Sequence, residues 1–241
     1  QFRMHPILGN FVSKQFYEKE GLPALLPGRD ASDFMSDISG YENAVCAWLD
    51  MPLSSGTEGR RGSSRIRMAE AQVIAYEVQR LLEHCKPEVS IGVITFYSAQ
   101  RDVIFEELSN LGISERHSET GAWQVAESWR LTPTGEEKLR IGTVDAFQGK
   151  EFDIVLLSIV RANNKRLPPG ETSREFYEKA ANSKYGHLRL SNRMNVAMSR
   201  QRSLLIAVGD KAMATGGGAE IAVPALAAFL ALCEGEHGVV R

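Results

Sequence analysis

The sequence predicts one doubly wound α/β domain, a mostly parallel sheet with helices on both faces, and three observations carry that prediction. Apolar, strand-length runs recur at 44–49, 91–96, 139–144, 154–160 and 204–208. Segments with three- and four-residue apolar spacing lie between several of them. The run from Ile154 to Val160 is almost unbroken rather than alternating, as expected of a strand buried on both faces. Strands alternating with helices call for a parallel sheet whose crossovers cover it.

Taken in order, the opening QFRMHPILGNF places Pro6 where it helps a helix to start. AVCAWL (44–49) is the first strand, and RRGSS (60–64) reads as a surface turn. Residues 65–84 carry Ile66, Ala69, Val73, Ile74, Val78, Leu81 and Leu82 at helical spacing. IGVITF (91–96) is a strand and 98–111 a helix. In 112–138, turn residues surround Trp123 and Trp129, whose size implies partial packing. LRIGTV and IVLLSIV are consecutive strands. Residues 162–187 begin as the loop ANNKRLPPGETS and end as a weak helix. A helix over 188–200, the strand LLIAV, the turn TGGGAE (215–220) and an Ala/Leu-rich helix over 219–233 complete the chain. Both 112–138 and 162–187 exceed ordinary connection lengths, which marks them as insertions at a functional edge or as flaps.

With 241 residues, 43% hydrophobic and 24% charged, the composition is that of a globular protein able to bury a substantial core. No apolar stretch approaches the roughly 18–20 residues of a membrane span. The start lacks a signal peptide's organisation and an initiator methionine, so the chain is expected to be a fragment of a longer, cytoplasmic protein. Cys46, Cys85 and Cys233 form no Cys-x-x-Cys pair, which argues for a reducing compartment and against a zinc site. A net charge of −2 means that any surface for nucleic acid must be local.

The stretch GTVDAFQGKEFDIVLLSIVRA (142–162) crowds Thr143, Asp145, Gln148, Lys150 and Glu151 around Gly149, directly before the most apolar strand. In open α/β sheets ligands bind beyond the carboxyl ends of strands, and this loop begins at one. Read alone, it is equally well an ordinary connector in which Asp145 caps. On a continuous helix over 188–200, Arg189, Arg193 and Arg200 would fall within roughly 40° of one another, beside an apolar face of Leu190, Met194, Ala197 and Met198. Such a face suits phosphate, which guanidinium grips as a fork, though a solvated cationic face is the commoner outcome for a helix of this kind. No Gly-x-x-x-x-Gly-Lys-[Ser/Thr] loop, Gly-x-Ser-x-Gly elbow or Gly-x-Gly-x-x-Gly fingerprint is present, so a complete nucleotide-hydrolysing site is not encoded here.

Four segments in order, QFRMHPILGNFVSKQFYE (1–18), IGVITFYSAQRDVI (91–104), IGTVDAFQGKEFDIVLLSIVRA (141–162) and LSNRMNVAMSRQRSLLIAVGD (190–210), resemble the second RecA-like domain of superfamily 1 helicases. The nearest likeness is to the 5′-to-3′ branch of the nonsense-mediated-decay and senataxin-type enzymes. The resemblance implies a single RecA-like, P-loop-NTPase-like domain over 1–241. It further implies that ATP and Mg²⁺ bind between this domain and a first RecA-like domain upstream, which would hold the phosphate loop and the metal. Phe2 would stack adenine, Arg3 would contact the γ-phosphate, Glu151 would bind ribose, and Arg200 would be the arginine finger with Arg202 nearby. Gln148 and Gly149 would couple nucleotide to a nucleic-acid groove contacted by Thr143, Thr95, Tyr97 and Gln100. Phe2 stands where the family often has tyrosine, and Thr95-Phe96-Tyr97 departs from the commoner Thr-Pro-Tyr. The function implied is the second motor domain of an ATP-dependent helicase acting on DNA or RNA, inactive as an isolated chain. The alternative is a helicase-derived scaffold that binds nucleic acid or protein without catalysis.

Overall fold

The computed structural model describes residues 1–168, 173–216 and 218–241. Residues 169–172, within ANNKRLPPGETS, and Gly217, within TGGGAE, lie outside the described residues. Helix α1 (Pro6–Val12) begins on proline, and the His5 Nδ1 accepts from the Ile7 amide at its start. Strand β1 (Cys46–Asp50) leads to a hairpin, β2 (Gly59–Arg61) and β3 (Ser64–Ile66), turned at Gly62. Then follow α2 (Met68–His84), β4 (Ile91–Thr95), α3 (Ser98–Asn110), a second hairpin of β5 (Ser114–Arg116) and β6 (Trp123–Val125), β7 (Leu139–Thr143) and β8 (Phe152–Ser158). The chain closes with α4 (Arg174–Tyr185), α5 (Ser191–Ala197), β9 (Gln201–Gly209), α6 (Ala219–Ala222), α7 (Pro224–Cys233) and β10 (Gly238–Val240).

Six strands form one sheet in the order β10-β1-β9-β8-β4-β7, and every neighbouring pair is parallel. The period of two along each strand divides the core. Ile154, Leu156, Leu204 and Ile206 pack with Ile74, Val78 and Leu108 of α2 and α3. Val155, Leu157, Leu205 and Ala207 pack on the other face with Phe11, Ala181, Met194 and Phe229 of α1, α4, α5 and α7. Both faces of β8 and β9 are therefore apolar, which accounts for their unbroken runs.

The five expected strands are all present, each within a few residues of its expected bounds. β10 is an addition, too short at three residues to stand out as a run. Segment 112–138 is a packed hairpin with a tail, its Trp123 ring stacked on Phe105 of α3 at 6.0 Å.

The expected 188–200 helix is corrected to the seven residues of α5. Leu190 is extended (φ −80°, ψ 97°) and interrupts it, so the three arginines do not share a face. Arg189 pairs with Glu178, Arg193 with Asp145, and Arg200 lies beyond the helix end. Leu190 is exposed rather than part of the apolar face, while Met194, Ala197 and Met198 are buried.

Candidate functional site

The carboxyl ends of β4, β7, β8 and β9 share one edge of the sheet, and the polar loop between β7 and β8 starts there. After Thr143 the chain makes a 3₁₀ turn, Val144–Phe147. The Phe147 ring is fully buried against Phe152, with centroids 5.5 Å apart, so both ends of the loop are anchored in the core. The two rings occupy space that exists because residue 92 is glycine: a Cβ there would lie 2.9 Å from Phe147 and 3.0 Å from Phe152. Between the anchors Gln148, Gly149 and Lys150 are exposed. Gly149 has φ +76° with open space around it, so its requirement is conformational rather than steric.

Glu151, at the loop's end, is the centre of a charged cluster drawn from three distant parts of the chain. Its Oε2 accepts from Arg3 Nε at 2.5 Å, and its Oε1 accepts from Arg202 at 2.9 and 3.2 Å. Arg202 also reaches Asp153 at 3.4 Å. The amino-terminal segment is held in place by the His5 amide, which donates to the Arg202 carbonyl at 2.8 Å. Partial burial alone would raise the Glu151 carboxyl, but the Arg202 and Arg3 guanidiniums overcome that and hold it below the usual carboxylate range.

Arg200 is the odd member. Its guanidinium donates to the Val196 carbonyl (3.0 Å), the Ser199 hydroxyl (2.8 Å) and the Lys150 carbonyl (3.4 Å), all neutral. Burial first, and then the neighbouring Arg3 cation, push its pKa down. A half-buried cation beside a second cation, with no carboxylate bonded to it, is an arrangement that an anion would relieve. Phe2 lies beside this cluster with 71% of its surface exposed, one side of its ring covering Gly28.

The structure thus brings Phe2, Arg3, Glu151, Arg200 and Arg202 together, with Gln148 and Gly149 on the adjoining exposed loop and half-buried Thr143 at its root. It does not bring Thr95, Tyr97 and Gln100 to a surface, and the expectation that they touch a nucleic-acid backbone is corrected. Thr95 and Gln100 have no exposed area and Tyr97 retains 6%. Gln100 Oε1 accepts from the Arg67 amide (2.7 Å), and its Nε2 donates to the Arg67 carbonyl and the Ser158 hydroxyl (3.2 Å each). The Tyr97 hydroxyl accepts from the His187 amide at 3.3 Å.

Behind these lies an interior network that the apolar spacing of 65–84 did not reveal. Arg67 and Glu70 are both fully buried and 3.5 Å apart. Glu70 accepts from the Ser158 hydroxyl (2.6 Å) and from the Val160 amide (2.8 and 3.0 Å). Val160 has φ +66°, an unusual conformation for a β-branched residue, and the carboxylate fixes it there. Glu70 falls four and eight positions before the core residues Ile74 and Val78, so a carboxylate on the apolar stripe was the available signal.

A family model described as AAA domain, AAA_12, matches residues 1–212. The chain belongs to that family. The match spans all four motif-bearing segments, and the likeness drawn from them holds. Among curated relatives, a regulator of nonsense transcripts 1 homologue from Neurospora crassa is 29% identical over 213 residues, covering 87% of this chain and 16% of the relative. The homologue of the same name from Drosophila melanogaster is 29% identical over 229 residues, covering 87% of this chain and 15% of the relative. The DNA polymerase alpha-associated DNA helicase A of Schizosaccharomyces pombe is 23% identical over 219 residues, covering 87% of this chain and 27% of the relative. The AAA_12 chain therefore spans about a quarter or less of the length of these relatives. Among its described residues, no helix is long and apolar enough to cross a membrane.

Proposed function

We propose that this chain is the second motor domain of an ATP-dependent helicase or translocase. In this reading the Arg3–Glu151–Arg200–Arg202 cluster completes a nucleotide site whose phosphate loop belongs to another domain of the same polypeptide. The observation that carries the reading is Arg200, a half-buried guanidinium next to Arg3 that bonds only neutral oxygens. ATP, when bound, supplies a transferable γ-phosphoryl group whose negative charge spreads in the transition state.

Each residue then has a task. Arg200 and Arg3 place cationic donors on that charge, and an arginine so placed contributes about 10³–10⁵ in rate, or roughly 4–7 kcal/mol. Glu151 positions Arg3 and Arg202, and its partly exposed carboxylate accepts from ribose hydroxyls. Phe2 offers an exposed ring face for adenine. Gln148, Gly149 and Thr143 carry the change in the cluster to a groove for the nucleic-acid backbone. In this reading Mg²⁺ belongs, with the phosphate loop, to the other domain.

The test is made on the parent protein with Arg200→Ala. Turnover should fall by about 10³ or more while fluorescent-nucleotide binding is retained, and the isolated chain should hydrolyse ATP negligibly. Near-normal hydrolysis by the variant, or robust turnover by the chain alone, overturns the split site.

A further inference from the structure

The β2–β3 hairpin and the residues directly after β8 have no part in the nucleotide cluster, which gathers at the amino ends of β8 and β9; they meet at the opposite, carboxyl edge of the sheet. The hairpin follows the carboxyl end of β1, and residues 161–165 follow that of β8. They are joined by Glu58, whose Oε2 accepts from Arg161 Nε (2.7 Å), the Ala162 amide (3.0 Å) and Asn163 Nδ2 (3.2 Å). Its Oε1 pairs with Arg65 at 2.8 Å. One buried carboxylate therefore serves two arginines.

The remaining charge around it is cationic and uncompensated. Arg60 and Arg65 are directly opposed across the antiparallel hairpin, so their side chains leave the same face. Like charges in that position destabilise a hairpin unless something else neutralises them. Arg60 is exposed and makes no ion pair among the described residues. Lys165 is exposed, and its ammonium donates only to the Ser183 carbonyl (3.0 Å) and hydroxyl (2.8 Å). Burial, followed by Arg161 and Arg65, lowers the Lys165 pKa, an independent sign of unbalanced positive potential. Arg161 in turn lies against Gly186, and its field and that of Arg193 act on the intervening His187. Beyond it, Arg193 is bonded to Asp145 in the loop after β7.

We propose that Arg60, Arg65 and Lys165 form a second phosphate-binding surface that grips the sugar-phosphate backbone of single-stranded nucleic acid. The inference rests on the helicase reading above and extends its groove beyond the Thr143–Glu151 loop. Four cations (Arg60, Arg65, Arg161 and Lys165) against one carboxylate give a local excess in a chain whose net charge is −2, and the exposed Arg60 guanidinium on the hairpin with the exposed Lys165 ammonium after β8 match a chain of phosphates rather than a single small anion. The contacts would be independent of base sequence, because nothing in them reads a base edge.

The experiment is a fluorescence anisotropy titration of labelled oligodeoxythymidylate and oligouridylate with this chain over a range of salt concentrations. Arg60→Gln/Lys165→Gln is compared with the charge-matched control Lys19→Gln/Lys86→Gln, which alters exposed lysines outside the surface. Removing two phosphate contacts should reduce the slope of log K against log salt by about 1.4 and weaken binding about twentyfold near ~0.1 M salt. The control should shift the slope far less. If the wild-type chain binds but the two double variants behave alike, this surface is refuted and the groove reading survives. If the wild-type chain binds neither oligonucleotide at low salt, both fail. Preference for polyglutamate over an oligonucleotide of equal charge would refute nucleic acid as the occupant.

Discussion

Gln100→Met separates an interior role for this residue from a surface one. The substitution nearly preserves side-chain length and volume, so little cavity is expected. What it removes is three hydrogen bonds. The Arg67 carbonyl keeps a second donor in the Ala71 amide, and the Ser158 hydroxyl still donates to Glu70. The Arg67 amide keeps nothing, and an orphaned buried donor costs about 1–3 kcal/mol. Loss of the bond to Ser158 adds about 1 kcal/mol. The sum, about 2–4 kcal/mol, corresponds to a melting midpoint lowered by roughly 10 °C in a domain of this size. Urea titration followed by circular dichroism gives the free energy, and oligonucleotide titration of the folded variant gives the binding. A variant within about 0.5 kcal/mol of wild type that has lost oligonucleotide affinity would refute the reasoning and restore Gln100 as a contact.

Two further outcomes are expected. Gly92→Ala should destabilise the chain by about 1–3 kcal/mol, because its methyl group displaces Phe147 and Phe152, and unchanged thermal stability would show that the loop anchor is slack. Burial pushes the Glu70 carboxyl up to about 7, against the opposing effects of Ser158, Arg67 and Val160. Its folded pKa is above the unfolded value of 4.5, so this contribution to stability is fully present below about 4.5 and is lost as pH rises through about 7, a change of about 3 kcal/mol. Glu70→Gln should flatten that part of the stability profile measured by urea titration between pH 5 and 8, and an identical profile would exclude Glu70 as its source.

Much of the architecture was written in local pattern. Strand existence, helical segments on both faces and the parallel sheet followed from apolar period and run length, because burial on two faces demands unbroken apolar strands. The four motif segments were legible in another way, by their combined and ordered resemblance to a known family. Helix α5 was overestimated because spacing cannot show that Leu190 turns extended and breaks the helix.

By itself, the sequence determined the α/β class, the family likeness and which residues carry charge near the strand ends. Only the tertiary structure decided which of them meet. Arg3 and Glu151 are separated by 148 positions and come into contact because the amino-terminal segment bonds to β9. Gln100, polar and one helical turn from a strand end, points inward because the Arg67 backbone needs partners that only the packed α2–α3 interface brings near it. Long-range contacts of this kind depend on how sheet and helices close over one another, and no local periodicity encodes that.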